Sequence, residues 1–247
     1  MLELRRPDLE SDAEETLSGP SLARALRGNS VAVLAEVKRR SPSKGSIDDS
    51  LDAVTQASAY VAGGAVAVSI LTEQNHFGGS VDDLRRVRAG LDVPVLKKDF
   101  HVSPIQLLEA RALGASAALI IARAVSPARL VELMEYARTI GLDILVEVRD
   151  DDELRRALDT GATLIGVNNR NLETLEIDPH TAGRLIPMIP ADLLAIAESG
   201  VTSRVEVERY AERGADAVLV GSALSAASDP LAATRQLCGV PRRRRDG

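Results

Sequence analysis

Apolar, β-branched runs recur along the chain at positions 31–37, 65–71, 94–96, 117–121, 143–148, 164–167, 193–197 and 217–220. Between them lie stretches with helical patterning, among them "DDLRRVRAG", "SPIQLLEARALG", "SPARLVELMEYARTIG", "DDDELRRALDTG" and "SRVEVERYAERG". Several of these open with Asp or Ser and close with Gly, the start and stop signals of helices. Strands that alternate with helices predict a parallel sheet, because parallel neighbours need crossover connections. Eight such units predict an α/β fold, a single closed (β/α)8 barrel of TIM type with a short N-terminal extension. The segments "GGAVAVSI", "LGASAALII", "TGATLIGV" and "RGADAVLV" recur at roughly 50-residue intervals, before every second strand, as if the barrel were assembled from four quarters. The competing open, doubly wound sheet requires a Gly-rich phosphate turn after its first strand, and none is present.

The ends are less patterned. Residues 1–20 are acidic and read as a loosely structured leader, with a short helix over 21–27. The barrel domain is expected over 21–238, and the basic tail 239–247, with Arg242, Arg243, Arg244 and Arg245 in a row, as a frayed terminus. Aromatics make up 2% of the 247 residues and Trp is absent, so Ala, Val, Leu and Ile must fill the core. Base-stacking platforms are then unexpected, and a net charge of −6 also argues against nucleic acid as a partner. No apolar stretch approaches membrane-spanning length. The single Cys238 cannot form an internal disulfide, which fits a reducing, cytoplasmic setting.

In a (β/α)8 barrel, functional groups collect at the C-terminal ends of the strands. Strand one ends in Glu36 and Lys38, which share a face because side chains alternate. Strand three ends in "VLKKDF", and period alone leaves open whether Lys97 or Lys98 points inward. Strand five ends with Glu147, strand six with Asn168, Asn169 and Arg170, strand seven with Glu198, Ser199 and Gly200, and strand eight with Gly221 and Ser222. One polar pocket built from many strands is the simplest account. Lysines and glutamates packed together shift one another's pKa and can supply a general acid and a general base near neutral pH. With three His, no His-x-His pair and one distant Cys, metal chemistry is not expected. "ESGVTS" and "VGSALSAASDP" follow strands seven and eight, where barrels often bind phosphate through exposed backbone N–H groups. The "SPSKG" loop after strand one could add donors, including Lys44.

The motifs "LAEVKRRSPSKG", "SILTEQNHFGGS", "VLKKDF", "LVEVRDDDEL", "IGVNNRNLETLEID", "AESGVTS" and "VLVGSAL" occur in this order over residues 21–230. Together they resemble indole-3-glycerol phosphate synthase. The resemblance implies a carboxy-lyase of tryptophan biosynthesis that needs no cofactor. Such an enzyme closes the ring of 1-(2-carboxyphenylamino)-1-deoxyribulose 5-phosphate, losing CO₂ and water. It also implies roles. Lys98 is the general acid at the substrate carbonyl, with Lys97 turned outward. Glu147 is its acid–base partner in dehydration, and Lys38 a second lysine near the departing carboxylate. Glu36, Asn168 and Ser199 form a hydrogen-bonding shell. Arg170 and Phe77 contact the substrate, while Ser41, Gly200, Gly221 and Ser222 bind its phosphate. Glu198 matches the motif without an assigned role. His76 and His101 depart from the family pattern, His76 where a second aromatic is common beside Phe77 and His101 where an aliphatic is usual. The expected partner is a small phosphosugar, and the expected state a monomer, with weak self-association as the alternative. Two other readings compete: a phosphosugar-barrel paralogue, such as a phosphoribosylanthranilate isomerase-like enzyme or a specialised-metabolism copy with altered aromatic-end specificity, and a non-catalytic phosphosugar-binding subunit.

Overall fold

The computed structural model describes residues 2–17, 19–43 and 45–245. Eight strands pair in parallel and close on themselves: β1 (Ala32–Val37), β2 (Ala67–Leu71), β3 (Val95–Lys98), β4 (Ala117–Ile121), β5 (Asp143–Val148), β6 (Leu164–Asn168), β7 (Leu194–Glu198) and β8 (Ala217–Val220). β8 returns to β1 with Leu34 opposite Leu219, which completes the expected (β/α)8 ring. Outside the strands lie α3 (Ala53–Gly63), α4 (Val81–Gly90), α5 (Pro104–Ala112), α6 (Pro127–Thr139), α7 (Asp151–Asp159), α8 (His180–Leu185), α9 (Arg204–Glu212), α10 (Ser222–Ser225) and α11 (Pro230–Leu237).

Strand alternation divides the core in two. Val33, Ala35, Val68, Ile70, Val146 and Val218 face the helices, while Leu34, Leu96, Leu145, Leu164, Ile196 and Leu219 fill the barrel interior. Each fully buried aliphatic side chain contributes roughly 1.5–3 kcal/mol. Asp52, Ser126, Asp150 and Asp229 cap α3, α6, α7 and α11 by accepting a backbone N–H of the first turn. Ser103 and Ser203 close reciprocal capping boxes with Gln106 and Glu206. The glycines of the quarter repeat, Gly64, Gly114, Gly161 and Gly214, all have positive φ, at 110°, 77°, 70° and 87°. The repeat in the sequence is therefore a repeated helix stop, left-handed where a Cβ would be strained.

Both ends are more ordered than their composition indicates. Instead of a loose leader, the first residues carry α1 (Arg6–Glu15), whose Leu9 is buried against Ile105 and Leu108 of α5. Arg111 of α5 donates to the Thr16 carbonyl at 2.9 Å, and Thr16 Oγ1 donates to the Ala112 carbonyl at 3.1 Å. Apolar periodicity is a poor guide here because one buried leucine and hydrogen bonds to the chain's own backbone anchor the helix. The short helix expected over 21–27 is present as α2 (Leu22–Ala25). Leu22 and Leu26 are fully buried beneath the barrel interior and close its N-terminal end.

Within the tail expected to fray, Arg242 and Arg245 are anchored, Arg243 and Arg244 are exposed, and residues 246–247 lie outside the described residues. Arg242 and Arg245 both pair with Asp216, which is 1% exposed at the start of β8. Arg245 also donates to the carbonyls of Ile189 at 3.0 Å and Leu193 at 2.6 Å, and to that of Gly214. A row of like charges reads as solvated only until a buried carboxylate and several loop carbonyls gather at one place. Removing one partner of a buried, hydrogen-bonded pair leaves the other desolvated. Asp216→Ala should therefore lower the unfolding free energy in urea by about 3–5 kcal/mol without altering turnover, because it lies at the stability end of the barrel. A loss below about 1 kcal/mol, the range of an exposed pair, would contradict this.

Candidate active site at the C-terminal rim

The interior face of each strand changes character at its C-terminal end. The series Leu34–Glu36, Leu96–Lys98, Leu145–Glu147 and Ile196–Glu198 each step two residues from a core aliphatic to a charged group. Leu96 faces inward, so Lys98 does too. Lys97 points outward, where its ammonium donates to Asp99 and to His101 Nε2, both at 3.3 Å, and pairs with Glu109 of α5 at 3.2 Å. His101 Nδ1 donates to the Leu119 carbonyl at 2.7 Å, which fixes the tautomer. Burial, with Lys97 beside it, pushes the imidazole down to about 3, so it is neutral.

Lys98 lies at the centre of the rim. Its Nζ is 2.8 Å from Glu198, 3.6 Å from Glu147 and 3.9 Å from Glu36. Lys38 pairs with Glu36 at 2.7 Å. Burial alone would lower the Lys98 pKa, but Glu198, Glu147 and Glu36 outweigh it and hold the ammonium well above its ordinary value. Burial pushes the Glu36 carboxyl up, and Lys38 and Lys98 together overcome this and hold it below the usual range. Glu198 goes the other way: burial raises it, Lys98 opposes, Glu147 adds to the rise, and the carboxyl is pushed up to about 7. Its Oε1 is buried without a hydrogen-bond partner.

Two strand glycines make this crowding possible. A Cβ on Gly166 would stand 2.0 Å from Glu198 Oε1, and one on Gly221 would stand 2.6 Å from Glu36 Oε1. Ser225 of α10 fixes the end of β1, accepting from the Lys38 N–H at 3.1 Å and donating to the Glu36 carbonyl at 3.2 Å. Asn168 Nδ2 donates to Glu147 at 2.9 Å, and Asn168 Oδ1 accepts from the Arg170 N–H at 2.9 Å. The Arg170 guanidinium donates to the Leu175 carbonyl at 2.7 Å and has no carboxylate partner among the described residues; burial lowers its pKa.

These groups line one cavity of about 530 Å³. The structure brings together all the residues expected from the sequence: Glu36, Lys38, Lys98, Glu147, Asn168, Ser199, Arg170, Phe77, Ser41, Gly200, Gly221 and Ser222. Lys44 lies outside the described residues, and Cys238 lies at the end of α11, away from the cavity. The cavity has a cationic and an apolar side. Phe77 packs near Lys38, 5.7 Å from ammonium to ring centre, and against Phe100, with ring centres 6.4 Å apart. Leu119, Ile121, Leu172, Leu175 and Ile177 extend that apolar wall. Elsewhere on the lining, the N–H groups of Gly200, Ser222 and Ala223 have no protein acceptor among the described residues, with Ile177 packed beside Gly200.

Sequence reasoning left out Phe100, the aliphatic wall and a role for Glu198. Strand period could have recovered Glu198, Leu119 and Ile121, since each follows an inward-facing residue by two. Phe100 and the residues from Leu172 to Ile177 lie on loops, where no period applies. No group of three or more His, Cys, Asp or Glu able to hold a metal ion occurs among the described residues, and no helix among them is long and apolar enough to cross a membrane.

The fold is shared with solved structures of remote sequence. 3-Hexulose-6-phosphate synthase from Salmonella typhimurium superposes with a TM-score of 0.65 at 16% identity, over 84% of this chain and 96% of that one. A thiamine phosphate pyrophosphorylase from Pyrococcus furiosus gives 0.62 at 16% identity, over 85% and 94%. At this identity the likeness concerns the fold alone. Sequence relatives are much nearer. The indole-3-glycerol phosphate synthase of Parafrankia sp. (strain EAN1pec) is 52% identical over 205 residues, 83% of this chain and 76% of its own. Indole-3-glycerol phosphate synthase 1 of Streptomyces coelicolor is 52% identical over 213 residues, 86% of this chain and 79% of its own. The family model described as indole-3-glycerol phosphate synthase matches residues 2–237, and the chain belongs to that family.

Proposed function

We propose that this chain converts 1-(2-carboxyphenylamino)-1-deoxyribulose 5-phosphate into indole-3-glycerol phosphate, CO₂ and water. The observation that carries this reading is the Lys98 ammonium held among Glu36, Glu147 and Glu198 in a cavity with one apolar wall and one wall of open N–H donors. The aromatic ring fits the wall of Phe77, Phe100, Leu119 and Ile121. Its carboxylate fits Arg170, a half-buried cation without an acidic partner among the described residues, and Lys38. The phosphate fits the rim formed by Gly200, Gly221 and Ser222, with Ser41 beside it.

In the first step the ring carbon that bears the carboxylate bonds to the ketone carbon, and the carbonyl π pair moves to oxygen. An alkoxide is more basic than the amine that Lys98 becomes, so the proton passes from Lys98 Nζ to that oxygen. A positioned cation also stabilises the charge as it develops. The bond to the carboxylate then breaks, CO₂ leaves, and its electron pair restores the aromatic ring. In the second step the new hydroxyl leaves as water, protonated by one group of the set while another removes the proton from the neighbouring carbon. Glu147, 3.6 Å from Lys98 and held by Asn168, is placed for that exchange. Glu198, bonded to Lys98 at 2.8 Å, is placed to return a proton to it. Ser199 and Glu36 complete the polar shell. A cytoplasmic monomer accompanies this reading, and its single Cys suits a reducing compartment.

Purified protein given the carboxyphenylamino substrate should develop indole fluorescence in buffer containing a chelator; no product at any substrate concentration would refute the function. Lys98→Ala should lower kcat by at least the roughly 10²–10⁴-fold typical of a lost proton-transfer group. It should also lower stability, because three buried carboxylates lose their shared counter-charge. Retention of most activity would remove Lys98 from its role. The Glu198 carboxyl titrates near 7 in the folded chain, against an ordinary value of 4.5. The folded state therefore binds more protons than the unfolded state between those limits, and stability falls as pH rises through that interval. Urea unfolding from pH 5 to 8 should show this fall, and Glu198→Gln should flatten it; an equal slope in the variant would contradict the assignment.

A further inference from the structure

Asn169 stands directly behind the cavity and lines none of it. It follows Asn168 at the end of β6, so its side chain points outward, toward the helices, and it is fully buried. All its polar atoms are engaged. Nδ2 donates to the Ser199 carbonyl and to the Tyr210 hydroxyl, both at 2.9 Å, and Oδ1 accepts from the Ala182 N–H at 2.9 Å. Its backbone N–H donates to the Glu198 carbonyl at 3.0 Å, and its carbonyl accepts from the Asp178 N–H at 2.9 Å. Asn169 thus ties the end of β6 to the β7 loop, to α8 and to α9.

The contact with Ser199 has a directional consequence. Ser199 has φ of 64°, a left-handed conformation that non-glycine residues avoid. The chain contains no cis peptide among the described residues, so the Ser199–Gly200 peptide is trans and its C=O and N–H point in opposite directions. With the carbonyl drawn outward to Asn169 Nδ2, the Gly200 N–H is turned the other way, into the cavity that Gly200 lines. That N–H has no protein acceptor among the described residues. Were Ser199 to relax from its left-handed conformation, the peptide plane would rotate and the N–H would lose this aim. Rotation far enough would put the carbonyl oxygen, an acceptor, where a phosphate needs a donor.

We infer that Asn169 is a positioning residue for the phosphate end of the substrate: its amide sets the 199–200 peptide plane and so aims the Gly200 N–H at the phosphate. This rests on the reading that the Gly200 rim receives the phosphate. The phosphate does not react, so its hold is felt equally in ground and transition states and appears in KM rather than kcat.

The test compares Asn169→Asp with Tyr210→Phe. Asp keeps the size of Asn and the acceptor for Ala182, and in its ionised form, read at about pH 8 or above, it has no proton to donate to the Ser199 carbonyl. Phe removes the other acceptor of the same amide and leaves the Ser199 bond intact. For Asn169→Asp, KM for the carboxyphenylamino substrate should rise about tenfold to a hundredfold, the weight of one hydrogen bond to a charged group. Inhibition by inorganic phosphate should weaken by a similar factor, with kcat within about threefold of wild type, the small change expected when only uniform binding is lost. Tyr210→Phe should lower the thermal midpoint and leave KM and phosphate inhibition in place. If Asn169→Asp only lowers the thermal midpoint, or if both variants raise KM alike, the inference is overturned. Should Asn169→Asp fail to fold, Asn169→Ser, whose hydroxyl is too short to reach the Ser199 carbonyl, is read by the same criteria. If wild-type protein makes no product, the functional reading falls by itself. The inference is then judged by direct titration with inorganic phosphate, where equal affinity in wild type and variant overturns it.

Discussion

One ammonium set among three buried carboxylates is the constraint around which the rim is built. Glu36, Glu147 and Glu198 are each no more than 4% exposed, and taking a carboxylate out of water costs several kcal/mol unless it is paired. Among the described residues, Lys98 is the only cation within 4 Å of all three, and Lys38 pairs with Glu36 alone. The arrangement is short of positive charge, and the shortfall falls on Glu198, which takes a proton near neutrality. The same feature gives the site a strong cation and an adjacent group able to exchange protons with it. Gly166 and Gly221 follow from this constraint, since any side chain there would occupy the space of a carboxylate oxygen.

The two ends of the barrel apply the same physics to different purposes. At the N-terminal end, Asp216 meets Arg242 and Arg245, and the loop carbonyls of Ile189, Leu193 and Gly214 take further Arg245 donors, so the carboxylate charge there is paired although Arg242 Nε stays without a partner among the described residues. At the C-terminal end compensation is deliberately incomplete. Among the described residues, Glu198 Oε1 lacks a hydrogen-bond partner, Arg170 lacks a carboxylate and several backbone N–H groups of the cavity lining lack an acceptor, while Ser199 is held in a left-handed conformation. Each of these is a cost to the folded state that a bound phosphosugar carrying a carboxylate would offset.

The barrel was legible because period-2 strands, helix caps and helix-stopping glycines all point to the same architecture. The rim was legible because polar residues sit where strand runs end, and this places Glu36, Lys38, Glu147 and Asn168 without further information. Lys98 was different. Two adjacent lysines at a short strand give period no purchase, and the family motif was needed to choose between them. What escaped was non-local. Leu9 and Arg245 look like surface residues until the chain brings Ile105 or Asp216 beside them. Phe100 and the wall from Leu172 to Ile177 lie in loops whose direction depends on packing. Asn169 is indistinguishable in sequence from its neighbour Asn168, yet the strand pleat sends one into the cavity and the other behind it.

The account comes down to where a bound substrate lies. A crystal structure with the reduced substrate, carrying a hydroxyl in place of the ketone, tests it most directly. The account predicts the Lys98 Nζ within hydrogen-bond reach of that hydroxyl, about 3 Å, with the phosphate on the Gly200 and Ser222 N–H groups and the ring against Phe77 and Phe100. A phosphate bound elsewhere, or a hydroxyl beyond the reach of Lys98, would contradict it.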